Sequence, residues 1–146
     1  MDQNLTKKEE IVLNLLKKRC TPLSAYALLA ELRDDGFRAP LQVYRALDKL
    51  IALHLVHKLE SMNSYIACCY DHHAQDGSAT FTICDHCGNV VEVEDRPLAQ
   101  AMIQLTGQLD FVLRHSTIEM RGLCHRCIVA KDPPVLRDLK RAATTE

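Results

Sequence analysis

Cysteines 84, 87, 124 and 127 form two Cys-x-x-Cys pairs, and nothing else constrains the fold of this 146-residue chain as strongly. Each pair can turn two thiolates towards one ion. Two pairs together make a closed tetrahedral sulfur site, the environment preferred by structural zinc. Gly88 follows the first pair and Gly122 precedes the second, which helps the backbone wrap the metal. The 36 residues between the pairs exceed the loop of a simple zinc ribbon. A strand–helix–strand segment therefore has to be built on the clip. Zinc held there contributes to folding and leaves no open position for catalysis. The remaining cysteines, 20, 68 and 69, bring the total to seven, an odd number that argues against a disulfide framework. A redox dithiol would need only one pair, at a helix N-terminus.

The first half of the chain has a different pattern. Residues 6–18 read as a helix with a Thr6–Glu9 capping box and an apolar stripe of Val12, Leu15 and Leu16. A second helix is expected over 25–34 and ends at Asp35-Gly36. A third starts at Pro40 and runs to 53, with Val43, Leu47, Leu50 and Ile51 on one face. Short strands over 55–60 and 64–68 complete a winged helix-turn-helix over 1–68. The polar stretch 69–79 reads as a hinge. Strands over 80–83, 89–94 and 111–120 and a helix over 98–109 then make a small α/β dimerisation and metal-binding domain over 80–130. The overall class is α+β, and residues 131–146 read as a loosely held tail.

Charge follows the same division. Residues 1–60 carry a net +2, residues 61–130 a net −4 and the tail +1. The asymmetry is too small to establish nucleic-acid binding alone. With 47% hydrophobic and 25% charged residues the composition is that of a soluble domain. No apolar run reaches the roughly 20 residues of a membrane helix. The polar start lacks a signal core, so a cytoplasmic protein is expected. No nucleophile or phosphate-loop motif suggests an enzyme or a small-molecule substrate.

A second constellation spans the two halves. His57 and Cys68 lie on the two wing strands, and Glu92 lies between Val91 and Val93, pointing opposite to them. With a hinge histidine, His72 or His73, these residues offer the mixed N, S and O donors that suit zinc. Only one of the adjacent Cys68 and Cys69 can face such a site. His54, Cys20 and His115 read as structural or solvated. On the third helix, Gln42 could pair with adenine, Arg45 with guanine, and Tyr44 with a phosphate. Lys7, Lys8, Lys17 and Lys18 could meet phosphates or simply form a solvated face.

At this point the chain resembles the ferric uptake regulator family, and most closely its zinc-responsive branch. The resemblance spans about residues 5–130. It is carried by Ser-Ala-Tyr-Ala-Leu-Leu (24–29), Val-Tyr-Arg-Ala-Leu-Asp (43–48), Val-His-Lys-Leu-Glu-Ser-Met-Asn-Ser-Tyr (56–65), Ile-Cys-Asp-His-Cys-Gly (83–88), Leu-Arg-His (113–115), Ile-Glu (118–119) and Gly-Leu-Cys (122–124). It implies a homodimeric zinc-responsive repressor that binds AT-rich inverted repeats in double-stranded DNA and controls zinc uptake genes. It also implies one structural zinc per chain on the four paired cysteines. One regulatory zinc is implied on His57, Cys68, Glu92 and a hinge histidine, with His73 favoured, His72 the alternative and Asp76 an outside candidate. Tyr26 joins the expected DNA contacts, and Arg45 becomes their leading member. Iron-sensing relatives carry His-x-His where this chain reads Ala79-Thr80-Phe81, and the thiolate of Cys68 favours zinc over iron. An iron- or peroxide-responsive regulator of the same fold is the alternative.

Overall fold

The computed structural model describes residues 4–69 and 78–130. His72, His73, Asp76, most of the expected hinge and the expected tail lie outside the described residues. Helix α1 (Lys7–Arg19) opens with the Thr6–Glu9 capping box: the Thr6 amide donates to Glu9 Oε2 at 2.8 Å, and the Glu9 amide donates to Thr6 Oγ1 at 3.4 Å. Helix α2 (Ala25–Glu31) is capped by Ser24, whose hydroxyl accepts from the Ala27 amide at 3.1 Å. It is shorter than the apolar pattern suggests, because turns take over before Gly36, at φ 87°. Leu32 stays buried although it has left the helix.

Helix α3 (Pro40–Ala52) buries Val43, Ala46, Leu47 and Leu50 against α1 and α2. Phe37, fully buried in the loop before it, fills the centre of this core. Burying each such side chain contributes about 1.5–3 kcal/mol, and that packing rather than intrinsic propensity holds three short helices together. Strands β1 (Val56–Leu59) and β2 (Ser64–Ala67) pair antiparallel and are joined by a 3-10 turn at Glu60–Met62. Leu23 adds a bridge on the free edge of β2, exchanging backbone hydrogen bonds of 2.9 and 2.8 Å with Tyr65. Three helices and this sheet form the expected winged helix.

The second lobe is a three-stranded sheet in the order β4-β3-β5. Strand β3 (Ser78–Cys84) pairs antiparallel with β4 (Val90–Val93) and parallel with β5 (Ser116–Gly122), after the chain has crossed over through helix α4 (Arg96–Gly107). Asp95 caps α4 by accepting from the Leu98 amide at 2.8 Å, so this helix starts two residues before the apolar stripe does. The expected strand over 111–120 is found only from Ser116. The Phe111 amide folds back onto the Thr106 carbonyl at 2.9 Å, and the ladder with β3 starts at the Ser78–Ser116 pair. A five-residue helix α5 (His125–Val129) follows β5 and has too few residues for any periodic signal. The lobes meet through Leu59 and Ile66 of the wing and Ala79 and Phe81 of β3, all buried. Among the described residues, no helix is long and apolar enough to cross a membrane.

Candidate metal centres and nucleic-acid interface

The β3–β4 turn places the first cysteine pair at the end of β3. The Cys84 amide donates to the Asn89 carbonyl at 2.9 Å, and Gly88 turns the chain at φ 70°, a conformation other residues adopt at a cost. Cys84 and Gly122 are paired in the parallel ladder, so the second pair emerges beside the first. The four sulfurs lie within 4.8 Å of one another, and Cys87 Sγ is 3.7 Å from Cys124 Sγ. Tetrahedral zinc with bonds of about 2.3 Å needs sulfurs about 3.8 Å apart, so the cluster fits that ion. Amides of Cys124, Cys87 and His86 pull the Cys84 thiol down to about 6. Burial and neighbouring sulfurs push Cys127 up to about 12. Four thiolates this close repel one another, and a cation at their centre would relieve that repulsion.

The second cluster is assembled from three strands or strand ends. His57 comes from β1, Cys68 follows β2 and Glu92 comes from β4. Their ligand atoms also lie within 4.8 Å of one another. The Glu92 carboxylate, 1% exposed, lies 3.3 Å from His57 Nε2 and 3.8 Å from Cys68 Sγ through Oε1. Its Oε2 accepts from the Cys69 amide at 2.9 Å. A carboxylate buried while Val91 beside it is exposed inverts the usual alternation of a half-buried strand. Phe81 meets the edge of the His57 ring at 5.3 Å between centroids. Of the adjacent cysteines, Cys68 joins the cluster. Cys69 is largely exposed, its Sγ lies 3.9 Å from the Ala67 carbonyl, and partial desolvation of the thiol with the nearby Glu92 charge raises its pKa. These donors fit zinc, and the fourth ligand expected from the hinge lies outside the described residues.

On α3, Arg45 is exposed and lines a shallow cavity of about 250 Å³ with Gln42, Thr6, Lys8 and Glu9. Gln42 uses its side-chain oxygen to accept from the Arg38 and Ala39 amides at 2.7 and 3.4 Å. In this conformation its oxygen caps its own helix. Tyr44 is half-buried against the helical core, whereas Tyr26 of α2 is 68% exposed. His54 and His115, read as structural or solvated, face each other across the lobe boundary with centroids 5.8 Å apart. No sequence pattern signals this pairing, since each ring stands alone in its own segment.

Zinc regulators are among the known proteins that this chain resembles. The Zinc uptake regulation protein of Escherichia coli (strain K12) is 42% identical over 125 residues, covering 85% of this chain and 72% of that protein. The protein of the same name from Shigella flexneri matches equally. The solved structure of a zinc uptake regulator complexed with zinc and DNA superposes with TM-score 0.80 at 38% identity, covering 87% of this chain and 85% of that one. Holo XcZur superposes with TM-score 0.79 at 40% identity, covering 88% and 89%. A ferric uptake regulator from Francisella tularensis, at 17% identity and TM-score 0.58 and covering 88% and 96%, shares the fold alone. The model of the Ferric uptake regulator family matches residues 2–121, nearly all of the two lobes just described, and the chain belongs to that family.

Proposed function

We propose that this protein is a zinc-responsive transcriptional repressor that binds operator DNA as a dimer when regulatory zinc is bound, and that it controls zinc uptake genes. The observation that carries this reading is the convergence of His57, Cys68 and Glu92, because it joins the wing to the second lobe. His57 and Cys68 move with the winged helix, while Glu92 moves with the sheet. Zinc bound there supplies a strong, directional cross-link between soft and hard donors. His57, Cys68 and Glu92 meet only when the lobes are closed, so binding energy gained there favours the closed population. The four paired cysteines hold a separate structural zinc, giving one of each kind per chain. The regulatory ligand set is completed by His73, with His72 as its alternative.

The winged helix over 1–68, the hinge over 69–79 and the second domain over 80–130 then have separate roles. Arg45 reads a base from the exposed face of α3, with Tyr26, Gln42 and Tyr44 as further DNA contacts. Homodimerisation is supported by exposed apolar residues on α4 and β5, among them Ile103, Leu105 and Met120. Strand β5 is also an edge strand of its sheet. A two-fold dimer matches an inverted repeat, read here as AT-rich, and the protein works in the cytoplasm. The test is a DNA-binding titration against buffered free zinc, with metal content measured alongside. Binding that rises with zinc, and with iron only weakly, is expected. Binding independent of zinc would overturn the reading.

A further inference from the structure

We infer that Glu119 and Arg121 are positioning residues that hold the wing against the second lobe at a point separate from the His57–Cys68–Glu92 cluster. Glu119 stands on β5, opposite Phe81 in the ladder. Its Oε1 accepts from the Glu60 amide at 2.7 Å and its Oε2 from the Ser61 amide at 3.1 Å. These two amides open the 3-10 turn of the wing, where backbone donors lack partners within the turn. A carboxylate 58 and 59 residues away along the chain therefore caps the wing turn from the other lobe. Charge-assisted bonds to two amides at once are directional as well as strong. Burial pushes the Glu119 carboxyl up, but the Ser61 hydroxyl and the Ser61 and Glu60 amides outweigh it and hold the group below its ordinary value.

Arg121 lies two residues on, on the same face of β5. Its Nη1 reaches the Ser61 carbonyl at 3.5 Å, while Nε and Nη2 hold Asp85 Oδ1 at 2.7 and 2.6 Å. Asp85 sits inside the first cysteine pair, and its amide donates to the Gly122 carbonyl at 2.8 Å. Both Arg121 and Asp85 are about half exposed, so the ion pair orients the guanidinium more than it stabilises the fold. The wing is thus gripped at His57 and again at Glu60-Ser61. The apolar seam of Leu59, Ile66, Ala79 and Phe81 allows sliding and rocking; two directional holds, one on each side of it, restrict both. The wing in turn moves with α3, because the Cys68 amide bonds the Leu55 carbonyl at 2.9 Å and Val56 packs in the helical core. The grip at Glu119 therefore biases the reading helix towards its closed setting before any regulatory ion arrives.

This inference rests on the zinc-responsive reading for its DNA readout. By reciprocity, loosening the Glu119 grip must weaken both DNA binding at saturating zinc and zinc binding at the sensor. The experiment uses the full-length dimer and two variants that weaken the contact from opposite sides. Glu119→Gln removes the charge, and Ser61→Pro removes the amide donor on the wing. Each should raise the free zinc needed for half-maximal DNA binding about fivefold. The double variant should fall clearly short of the product of the singles, since both act on the Ser61 contact and only the Glu60 contact is left for Glu119→Gln to weaken. The zinc content of the four-cysteine site and the dimer should be unchanged. Singles that match wild type, or a double variant whose effects multiply to about 25-fold, would overturn the inference. Where a variant folds poorly, Arg121→Ala replaces it and should show a smaller shift in the same direction. If it too matches wild type, the inference falls. Wild-type protein that ignores zinc when binding DNA would sink the functional reading alone. Sensor zinc affinity, read by chelator competition on the same variants, would still decide the grip.

Discussion

The two clusters differ in their donors, four sulfurs against a nitrogen, a sulfur and a carboxylate, and still more in what they join. The four cysteines come from one lobe, two strand ends and a short helix, all fixed by a single sheet. The His57–Cys68–Glu92 group draws on both lobes and is complete only while they touch. A site within one lobe can stabilise that lobe but cannot report on the arrangement of two. A site across a boundary stabilises less and reports more. The distinction that matters is one of connectivity.

The sharpest break of this comparison is Cys84→Ser. Structural zinc in small zinc-finger peptides is worth about 10–16 kcal/mol of apparent binding at neutral pH. The variant should lose its tightly held zinc, and the second lobe should lose cooperative unfolding, as followed by metal analysis and thermal melts. A zinc-replete, wild-type-like dimer would contradict the assignment. Cys68→Ser tests the other side. It should remain folded with one zinc per chain, yet lose a response to added zinc of about 5- to 150-fold in DNA affinity. Titration of labelled operator DNA measures this, and an undiminished response would remove Cys68 from the mechanism.

Arg45→Ala should leave both clusters filled and cost about 1–3 kcal/mol of DNA affinity, concentrated at one base position. Binding to a panel of operator variants would locate that position. The smallest effect concerns pH. Glu119 is held below its ordinary value of 4.5, so its stabilisation is fully present above that value and is lost as pH falls through the lowered one. The difference in thermal stability between wild type and Glu119→Gln should therefore be flat from about pH 8 to about pH 5.5, and shrink only in stronger acid. A difference that changes near neutrality would assign the contact to another group.

The sulfur cluster was legible in the sequence because its spacing is local: each pair is one turn of chain. The helix α3 core was legible for the same reason, since Val43, Leu47 and Leu50 repeat with the helical period. The second cluster was harder to read. Nothing in the period of residues 54–69 distinguishes His57 from His54, and Cys68 and Cys69 differ only by the pleat. Glu92 carried the best local sign, a carboxylate between two valines in a strand. Family resemblance, not pattern, narrowed the choice. The contacts of Glu119 and Arg121 with the wing were not legible, because they join side chains to backbone groups 58 or more residues distant. The late start of β5 was missed because the turn after α4 uses Phe111 backbone groups that an apolar strand pattern cannot reveal.

The pairing of Cys84 with Gly122 has one further consequence. A slip of one place between those parallel strands would shift one cysteine pair along by about 3.3 Å and flip its neighbours to the wrong side. Only the true alignment gives four sulfurs a common focus. An ion held at that focus would favour the true alignment over every slipped ladder.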